Sequence, residues 1–186
     1  MLDHFGILAP IYDCLISPPD VTRLRDLLRL PAAGRLLDAG GGTGRVSSQL
    51  HGLIGEIVIS DLSDKMLGKA RAKDELHPVQ GHTERLPFPD ASFDRVLVVD
   101  ALHHFCDQRE AIAELLRVLK PGGRLVIEEP NLNRWAVKVV ALMEKLALMR
   151  SRFYSPQSIR DMVAAHGLSP RIEADGSIAA WVVVDK

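Results

Sequence analysis

The part of this sequence best suited to chemistry is the glycine-rich run LLDAGGGTGR, which begins at Leu36. Its glycines are Gly40, Gly41, Gly42 and Gly44. Glycine permits positive φ and lets another molecule approach the backbone closely. A strand that passes through such a loop into a helix presents free N–H groups at the sheet edge where ligands bind. The run predicts a loop for a nucleotide-type ligand, and the alternative is a glycine-rich turn without one.

The spacing of these glycines narrows the choice of ligand. The dinucleotide fingerprint G-x-G-x-x-G needs a third small residue, and that position falls on Arg45 or Ser47. A carboxylate at Asp38 suits a cationic ligand better than a pyrophosphate. Asp61 ends a second apolar run about 20 residues beyond the glycines, where an acidic side chain can accept bonds from ribose hydroxyls. We predict that Asp61 binds ribose, with a helix cap or a surface charge as the alternative.

A pair of histidines, His103 and His104, follows a third apolar run. Imidazole has an unperturbed pKa of about 6.5, so either ring can act as a general base near neutral pH. The alternative is that one ring packs against the loop and the other caps backbone groups.

The elements that must position these residues alternate between strands and helices. Apolar runs predict strands at 35–38, 56–60, 93–100 and 123–129, and helical patterns lie at 44–53, 63–75 and 107–119, with Ser63 and Asp107 as N-caps. Strands that are apolar throughout are buried on both faces, which predicts a parallel sheet between two layers of helices. Segments 168–174 and 178–184 are separated by only three residues, so they must pair antiparallel.

Length and charge exclude several classes of protein. A chain of 186 residues fits one domain, residues 1–186. A net charge of −1 argues against a nucleic-acid partner bound by overall positive charge. Cys14 and Cys106 lack zinc-type spacing, so we expect reduced thiols and no metal site. No secretion signal and no run of about 20 apolar residues is present, which predicts a cytoplasmic protein.

Three further stretches carry a family resemblance: DLSDKML from Asp61, ERLPFPDASFD from Glu84 and RVLKPGGRLVI from Arg117. With the glycine run they resemble the UbiE/COQ5-like class I S-adenosylmethionine-dependent methyltransferases (methyltransferase type 11). The opening FGILAPIYD, from Phe5, looks like that of the quinone-biosynthesis C-methyltransferases. The resemblance implies an α/β, Rossmann-like fold whose seven-stranded, mostly parallel sheet has the order 3-2-1-4-5-7-6, a C-terminal antiparallel hairpin and helices on both faces.

The same resemblance implies S-adenosyl-L-methionine as the cofactor and gives roles to matching residues. The glycine loop would face the methionine part, and Asp61 the ribose. Leu62 and Met66 would flank the adenine, whereas His82 and Thr83 stand where the family usually has Asp-Ala. Asp100 is a candidate for the methionine ammonium. The cofactor-binding set is Tyr12, Asp38, Gly40, Gly41, Gly42, Gly44, Asp61, Leu62, Met66, His82, Thr83, Glu84 and Asp100.

The predicted function is methyl transfer to a small-molecule acceptor by in-line displacement, with a quinone-like or other apolar C- or O-acceptor. His103 or His104 would be the base if the acceptor has a proton to lose. Residues 131–152 are expected to form a helical lid, because apolar residues from Trp135 to Met149 recur at helical spacing. Core packing and peripheral membrane contact are the alternatives for this segment.

Two other functions stay open at this point. One is an NAD-dependent oxidoreductase on a Rossmann fold, which the glycine spacing and the C-terminal hairpin disfavour. The other is a cofactor-binding module without catalysis, since no motif proves turnover.

Overall fold

The computed structural model of the chain describes residues 20–131, 152–174 and 178–186. In these ranges seven strands form one sheet in the order β3-β2-β1-β4-β5-β7-β6. The strands are β1 (Arg35–Ala39), β2 (Glu56–Asp61), β3 (Leu76–Gln80), β4 (Phe93–Val99), β5 (Leu119–Pro130), β6 (Arg171–Glu173) and β7 (Ala179–Asp185). The helices are α1 (Val21–Leu28), α2 (Asp64–Ala70), α3 (Gln108–Val118) and α4 (Pro156–Ala164). Short 3-10 segments cover Ser47–Leu50, Thr83–Arg85 and Leu102–His104.

The pairing of the strands confirms the expected topology. Strands β1 to β5 pair in parallel, and β7 runs antiparallel to both β5 and β6. The turn between β6 and β7, residues 175–177, lies outside the described ranges. The carboxyl ends of the parallel strands therefore meet at one edge of the sheet, the edge where ligands bind in open α/β folds.

Helices cover both faces of the sheet, as expected. Leu24 of α1 and Leu67 of α2 pack into one apolar cluster, and Ile112 of α3 and Ile159 of α4 pack into another. Neighbouring residues of β1 point into different clusters, Leu36 into the first and Leu37 into the second. Each central strand needs apolar side chains on both faces, which explains the unbroken apolar runs.

The amino edge of the sheet is held by arginines. Arg95 Nε donates to the Leu28 carbonyl at 2.7 Å, and Arg124 Nη1 donates to the Leu27 carbonyl at 2.9 Å. Both carbonyls belong to the last turn of α1, where carbonyls lack helical partners and cations are favourable. Arg124, which is almost fully buried, also forms a bidentate ion pair with Asp185 at 2.6 and 2.7 Å. These bonds hold the C-terminal turn of α1 at the amino edge of the sheet.

Several predicted boundaries were wrong, and three of them have a local explanation. The helix expected at 44–53 is only the 3-10 segment Ser47–Leu50, because Gly44 and Gly52 bound it with φ of 71° and 73°. Strand β4 ends at Val99, because Asp100 has φ 53°. Strand β5 starts at Leu119, where a helix was expected, and its register against β4 shifts between Phe93 and Arg95.

Two expectations, the cofactor contact of Tyr12 and the helical lid, concern residues outside the described ranges. Tyr12 and nearly all of the expected lid at 131–152 lie outside the described ranges. Among the helices that are described, none is long and apolar enough to cross a membrane.

Candidate functional site

A pocket opens at the carboxyl edge of the sheet. Most of its lining comes from three loops: the glycine loop after β1, the turn after β2 and the loop after β4. Its lining residues are Asp38, Gly40, Gly41, Gly42, Thr43, Arg45, Val46, Asp61, Leu62, Met66, Thr83, Val99, Asp100, Ala101, His104 and Phe105. The structure thus brings nine of the predicted cofactor-binding residues to one place, together with His104. Of the predicted residues that the structure describes, only Gly44, His82 and Glu84 do not line the pocket.

The glycines of the loop serve different purposes. A Cβ on Gly40 would lie 2.6 Å from Ala101 Cβ, and one on Gly44 would lie 2.7 Å from Leu76 Cδ1. A Cβ on Gly41 would lie 2.6 Å from Asp38 Oδ2. Gly42 differs, because its Cβ would meet nothing nearer than Asp61 Oδ2 at 3.8 Å. Gly40, Gly41 and Gly44 therefore let the loop pack, whereas Gly42 leaves space on the side of the pocket.

Asp61 joins the glycine loop to the end of β2. Its Oδ2 accepts from the Gly42 backbone N–H at 2.9 Å, and its Oδ1 accepts from the Ser63 N–H at 2.8 Å. An ionised carboxylate has about four acceptor sites, so both oxygens can also accept bonds from a ligand. Asp61 is thus held in one orientation, and it lines the pocket.

Asp38 lies behind the loop and is 1% exposed. Burial raises the pKa of its carboxyl to about 6, while the Ser47 hydroxyl, which donates at 2.5 Å, acts in the opposite direction. The charged carboxylate is poorly solvated there, so a nearby cation would stabilise it. This electrostatic position agrees with the preference for a cationic ligand that the sequence suggested.

The charged side chains that line the pocket are mostly acidic. They are three carboxylates, Asp38, Asp61 and Asp100, and one guanidinium, that of Arg45. With all four ionised the lining carries two more negative than positive charges. A pyrophosphate would meet repulsion here, whereas a ligand with positive groups would be attracted.

One end of the pocket is apolar. Leu62 lies at the rim with 51% of its surface exposed, which is unusual for a large apolar side chain in this protein, and Met66 is buried below it. Thr83, 5% exposed, completes this end. An apolar surface of this kind suits the face of an aromatic base.

The two histidines lie in different surroundings. His103 is 2% exposed, and its Nδ1 is 2.6 Å from Glu129 Oε2. His104 lines the pocket, where burial, and then the neighbouring His103, lower its pKa to about 3. A general base works best with a pKa near the working pH, so a neutral His104 is better suited to hydrogen bonding than to proton abstraction.

His82 and Glu84, which were predicted to bind the cofactor, do not line the pocket. The side chain of His82 is 58% exposed, with Nδ1 3.8 Å from Glu84 Oε2. Glu84 Oε1 accepts from the backbone N–H groups of Cys106 and Asp107 at 2.6 and 3.2 Å. Glu84 thus fixes the start of α3. Of the adjacent residues His82 and Thr83, only Thr83 lines the pocket.

Sequence reasoning missed Glu129, the penultimate residue of β5 at the ligand edge, which is 4% exposed. Besides His103, it accepts from the backbone N–H groups of Ala101 and Leu102 at 3.0 and 2.8 Å. A carboxylate at the end of an apolar buried strand was the available signal, because such a group must find bonding partners inside the fold.

Known proteins resemble this chain in both sequence and structure. Residues 37–127 match the model of a methyltransferase domain family. The ubiquinone/menaquinone biosynthesis C-methyltransferase UbiE of Pseudomonas putida (strain GB-1) is 41% identical over 114 residues, which cover 56% of this chain and 44% of that protein. The chain therefore spans less than half the length of this curated relative.

Solved structures share the fold. A chain in the complex between a Haloferax volcanii methyltransferase activator and the putative methyltransferase has a TM-score of 0.81 and 21% identity, with coverage of 100% of this chain and 98% of that one. A Thermotoga maritima S-adenosylmethionine-dependent methyltransferase has a TM-score of 0.77 and 20% identity, with coverage of 99% and 93%. The matched family implies S-adenosyl-L-methionine as the cofactor, and the acidic pocket with the open Gly42 fits it. Residues 37–127 thus match a methyltransferase domain family, and the chain has the class I methyltransferase fold.

Proposed function

We propose that this chain transfers a methyl group from S-adenosyl-L-methionine to a small-molecule acceptor. The cofactor, when bound, supplies an electrophilic methyl group on a sulfonium, which an acceptor atom can attack in line without a covalent enzyme intermediate. The chain contributes binding, orientation and the exclusion of water, and positioning of this kind can supply several kcal/mol of a barrier.

The observation that carries this proposal is the charge of the pocket. Asp38, Asp61 and Asp100 line it beside the single guanidinium of Arg45. A sulfonium and an ammonium are favourable in such a field, whereas the pyrophosphate of NAD is not. The electrostatics therefore favour methyl transfer over the oxidoreductase alternative.

Each part of the cofactor has a candidate partner. Asp61 would accept from the ribose hydroxyls, and Leu62 and Met66 would flank the adenine. Asp38 and Asp100 would stabilise the positive charges of the methionine part. The remaining predicted contacts, those of Tyr12, His82 and Glu84, are proposals on sequence resemblance alone.

The acceptor is proposed to be a small apolar molecule such as a quinone precursor. The support is the likeness to UbiE, whose name describes C-methylation in ubiquinone and menaquinone biosynthesis. Neutral aromatic and apolar groups from the loop after β4, His104 and Phe105, line the pocket and suit such an acceptor.

Residues 131–152 are proposed to cover the acceptor. Both described ends of this segment are attached at the ligand edge. The Asn131 N–H donates to the Ile178 carbonyl at 2.7 Å, and the Arg152 N–H donates to the His103 carbonyl at 2.8 Å. A segment that leaves and returns beside the pocket loop is well situated to close over an apolar substrate. A cytoplasmic location, without a nucleic-acid partner, completes the proposal.

Titration calorimetry and a turnover assay test it together. We expect S-adenosylmethionine and S-adenosylhomocysteine to bind at least tenfold more tightly than NADH, and methyl-labelled cofactor to label a component of a small-metabolite pool. Tighter binding of NADH would contradict the proposal. Binding of S-adenosylhomocysteine without transfer to any metabolite pool would identify a cofactor-binding module instead.

A further inference from the structure

The loop after β4 forms one wall of the pocket. Val99, Asp100, Ala101, His104 and Phe105 all come from it. Asp100 has φ 53°, a backbone conformation that residues other than glycine seldom adopt. Such a conformation persists only where the surrounding structure holds it. The shape of this wall must therefore depend on contacts outside the loop.

The Glu129 side chain makes three of these contacts, beside the bond from the Asp100 N–H to the Glu128 carbonyl at 3.0 Å. Its Oε1 accepts from the N–H groups of Ala101 and Leu102 at 3.0 and 2.8 Å, and its Oε2 lies 2.6 Å from His103 Nδ1. Because a carboxylate accepts, Nδ1 carries the proton. Glu129 is 4% exposed, and a buried carboxylate is stable only when it is paired and hydrogen-bonded. Three successive residues of the loop, Ala101, Leu102 and His103, donate hydrogen bonds to this one carboxylate.

The His103 ring is held from its other side as well. It stacks on Phe153, with ring centroids 4.2 Å apart and planes at 16°. The backbone carbonyl of His103 accepts from the Arg152 N–H at 2.8 Å. His103 thus lies between Glu129 and the segment that follows residue 151, while its neighbour His104 lines the pocket.

We propose that Glu129 is a positioning residue of the cofactor site: through the His103 ring and the backbone N–H groups of Ala101 and Leu102, it fixes the loop that forms the pocket wall. This role assigns His103 to the support of the wall and leaves His104 as the histidine that faces the ligands. The inference rests on the proposed function, since it takes S-adenosylhomocysteine as the ligand of that wall.

Three substitutions separate the contributions of the carboxyl. Glu129→Gln keeps an oxygen for the two backbone N–H groups but turns an amide NH2 towards His103. Glu129→Asp keeps the charge but shortens the side chain by one methylene, so that it cannot reach all three partners. Glu128→Gln is the matched control on the same strand, because its carboxyl accepts from Trp181 Nε1 at 2.7 Å and does not line the pocket.

Calorimetry with S-adenosylhomocysteine is the first measurement. We expect Glu129→Asp to bind at least fivefold more weakly than wild type, Glu129→Gln to stay within about threefold, and Glu128→Gln within about twofold. Nitrogen-15 NMR of the His103 ring should show a proton on Nδ1 in wild type and on Nε2 in Glu129→Gln. Retained affinity in Glu129→Gln, together with this change of tautomer, would show that the hydrogen bonds of the side chain hold the wall. A general loss of stability would produce neither result.

Amide hydrogen exchange is the second measurement, and it needs no ligand. The amides of Ala101 and Leu102 should be protected in wild type and in Glu129→Gln, and should exchange at least tenfold faster in Glu129→Asp. Wild-type exchange and affinity in a folded Glu129→Asp would overturn the proposal, as would an equal loss of affinity in Glu128→Gln. A wild-type protein that does not bind S-adenosylhomocysteine would overturn the proposed function, while the exchange rates would still decide the role of Glu129.

Discussion

The Asp61 carboxylate accepts a hydrogen bond from the Gly42 backbone N–H at 2.9 Å, which joins the end of β2 to the glycine loop. The same carboxylate also caps the Ser63 N–H at the start of α2. One side chain therefore sets the positions of two of the three loops that form the pocket. Its removal should affect the ligand through the loop as well as through direct contacts.

We expect Asp61→Ala to weaken S-adenosylhomocysteine binding by roughly 1–3 kcal/mol, because ribose hydroxyls lose a charged acceptor. Asp64→Ala is the matched control, since Asp64 lies in the first turn of α2 and its carboxylate is 2.9 Å from Arg71 Nη2, outside the pocket lining. Calorimetry on both variants is the measurement. A change below about threefold for Asp61→Ala would show that this carboxylate only caps backbone groups.

The open space at Gly42 gives a second prediction. Gly42→Ala and Gly167→Ala each place a Cβ on a residue with positive φ, 55° and 78°, and a Cβ at Gly167 would have no neighbour within 4 Å. Both changes should destabilise the fold by about 1–2 kcal/mol, because L-residues disfavour this conformation. Only Gly42→Ala should reduce the affinity for S-adenosylhomocysteine, by at least tenfold. Equal affinities in the two folded variants would refute a ligand at Gly42.

The buried Asp38 predicts a dependence of stability on pH. Burial raises the pKa of Asp38 from 3.8 to about 6 in the folded protein. The stabilisation from its proton is fully present below the unfolded pKa and is lost as pH rises through about 6. From acid to neutral pH, the free energy of unfolding of wild type should therefore fall by about 3 kcal/mol relative to that of Asp38→Asn. Each pKa unit of the shift corresponds to about 1.4 kcal/mol.

Urea unfolding of both proteins from about pH 4 to about pH 7.5 measures this difference. His104 is present in both proteins, so its contribution to the pH dependence should cancel in the difference. A stability difference that does not vary over this range would mean that Asp38 has an ordinary pKa.

The low pKa of His104 gives a fourth prediction. With a pKa of about 3, its ring should stay neutral from about pH 5 to about pH 8, and its NMR signals should not titrate there. Because a protonated ring is disfavoured in the fold, the stability that His104 contributes is present above the unfolded pKa of 6.5 and is lost as pH falls towards about 3. A titration step of His104 near neutral pH would restore it as a candidate general base.

The sequence was sufficient for the features that depend on local patterns. Unbroken apolar runs located β1, β2 and β4, since central strands must be apolar on both faces. The predicted caps were confirmed: the Ser63 hydroxyl accepts from the Met66 N–H at 3.4 Å, and Asp107 accepts from the N–H groups of Arg109 and Glu110. In each case the interacting groups are within a few residues of one another.

Features that depend on distant contacts were missed. Strand β3 contains Pro78 and has no apolar run, because it lies at the edge of the sheet and pairs only with β2. The division of roles between His103 and His104 depends on Glu129, 26 residues beyond His103. No periodicity in the sequence encodes which of two adjacent rings turns towards a carboxylate on another strand.

The arginines that hold α1 have a consequence for the order in which the chain assembles. Helix α1 is synthesised before every strand of the sheet, yet its last carbonyls bind Arg95 and Arg124, which follow 67 and 97 positions later. Contacts across such separations form after local ones, because a long loop must first close. During synthesis on the ribosome, α1 therefore cannot form these contacts until β4 and β5 have emerged and paired. The first of the described helices to be made completes its docking only when most of the sheet already exists.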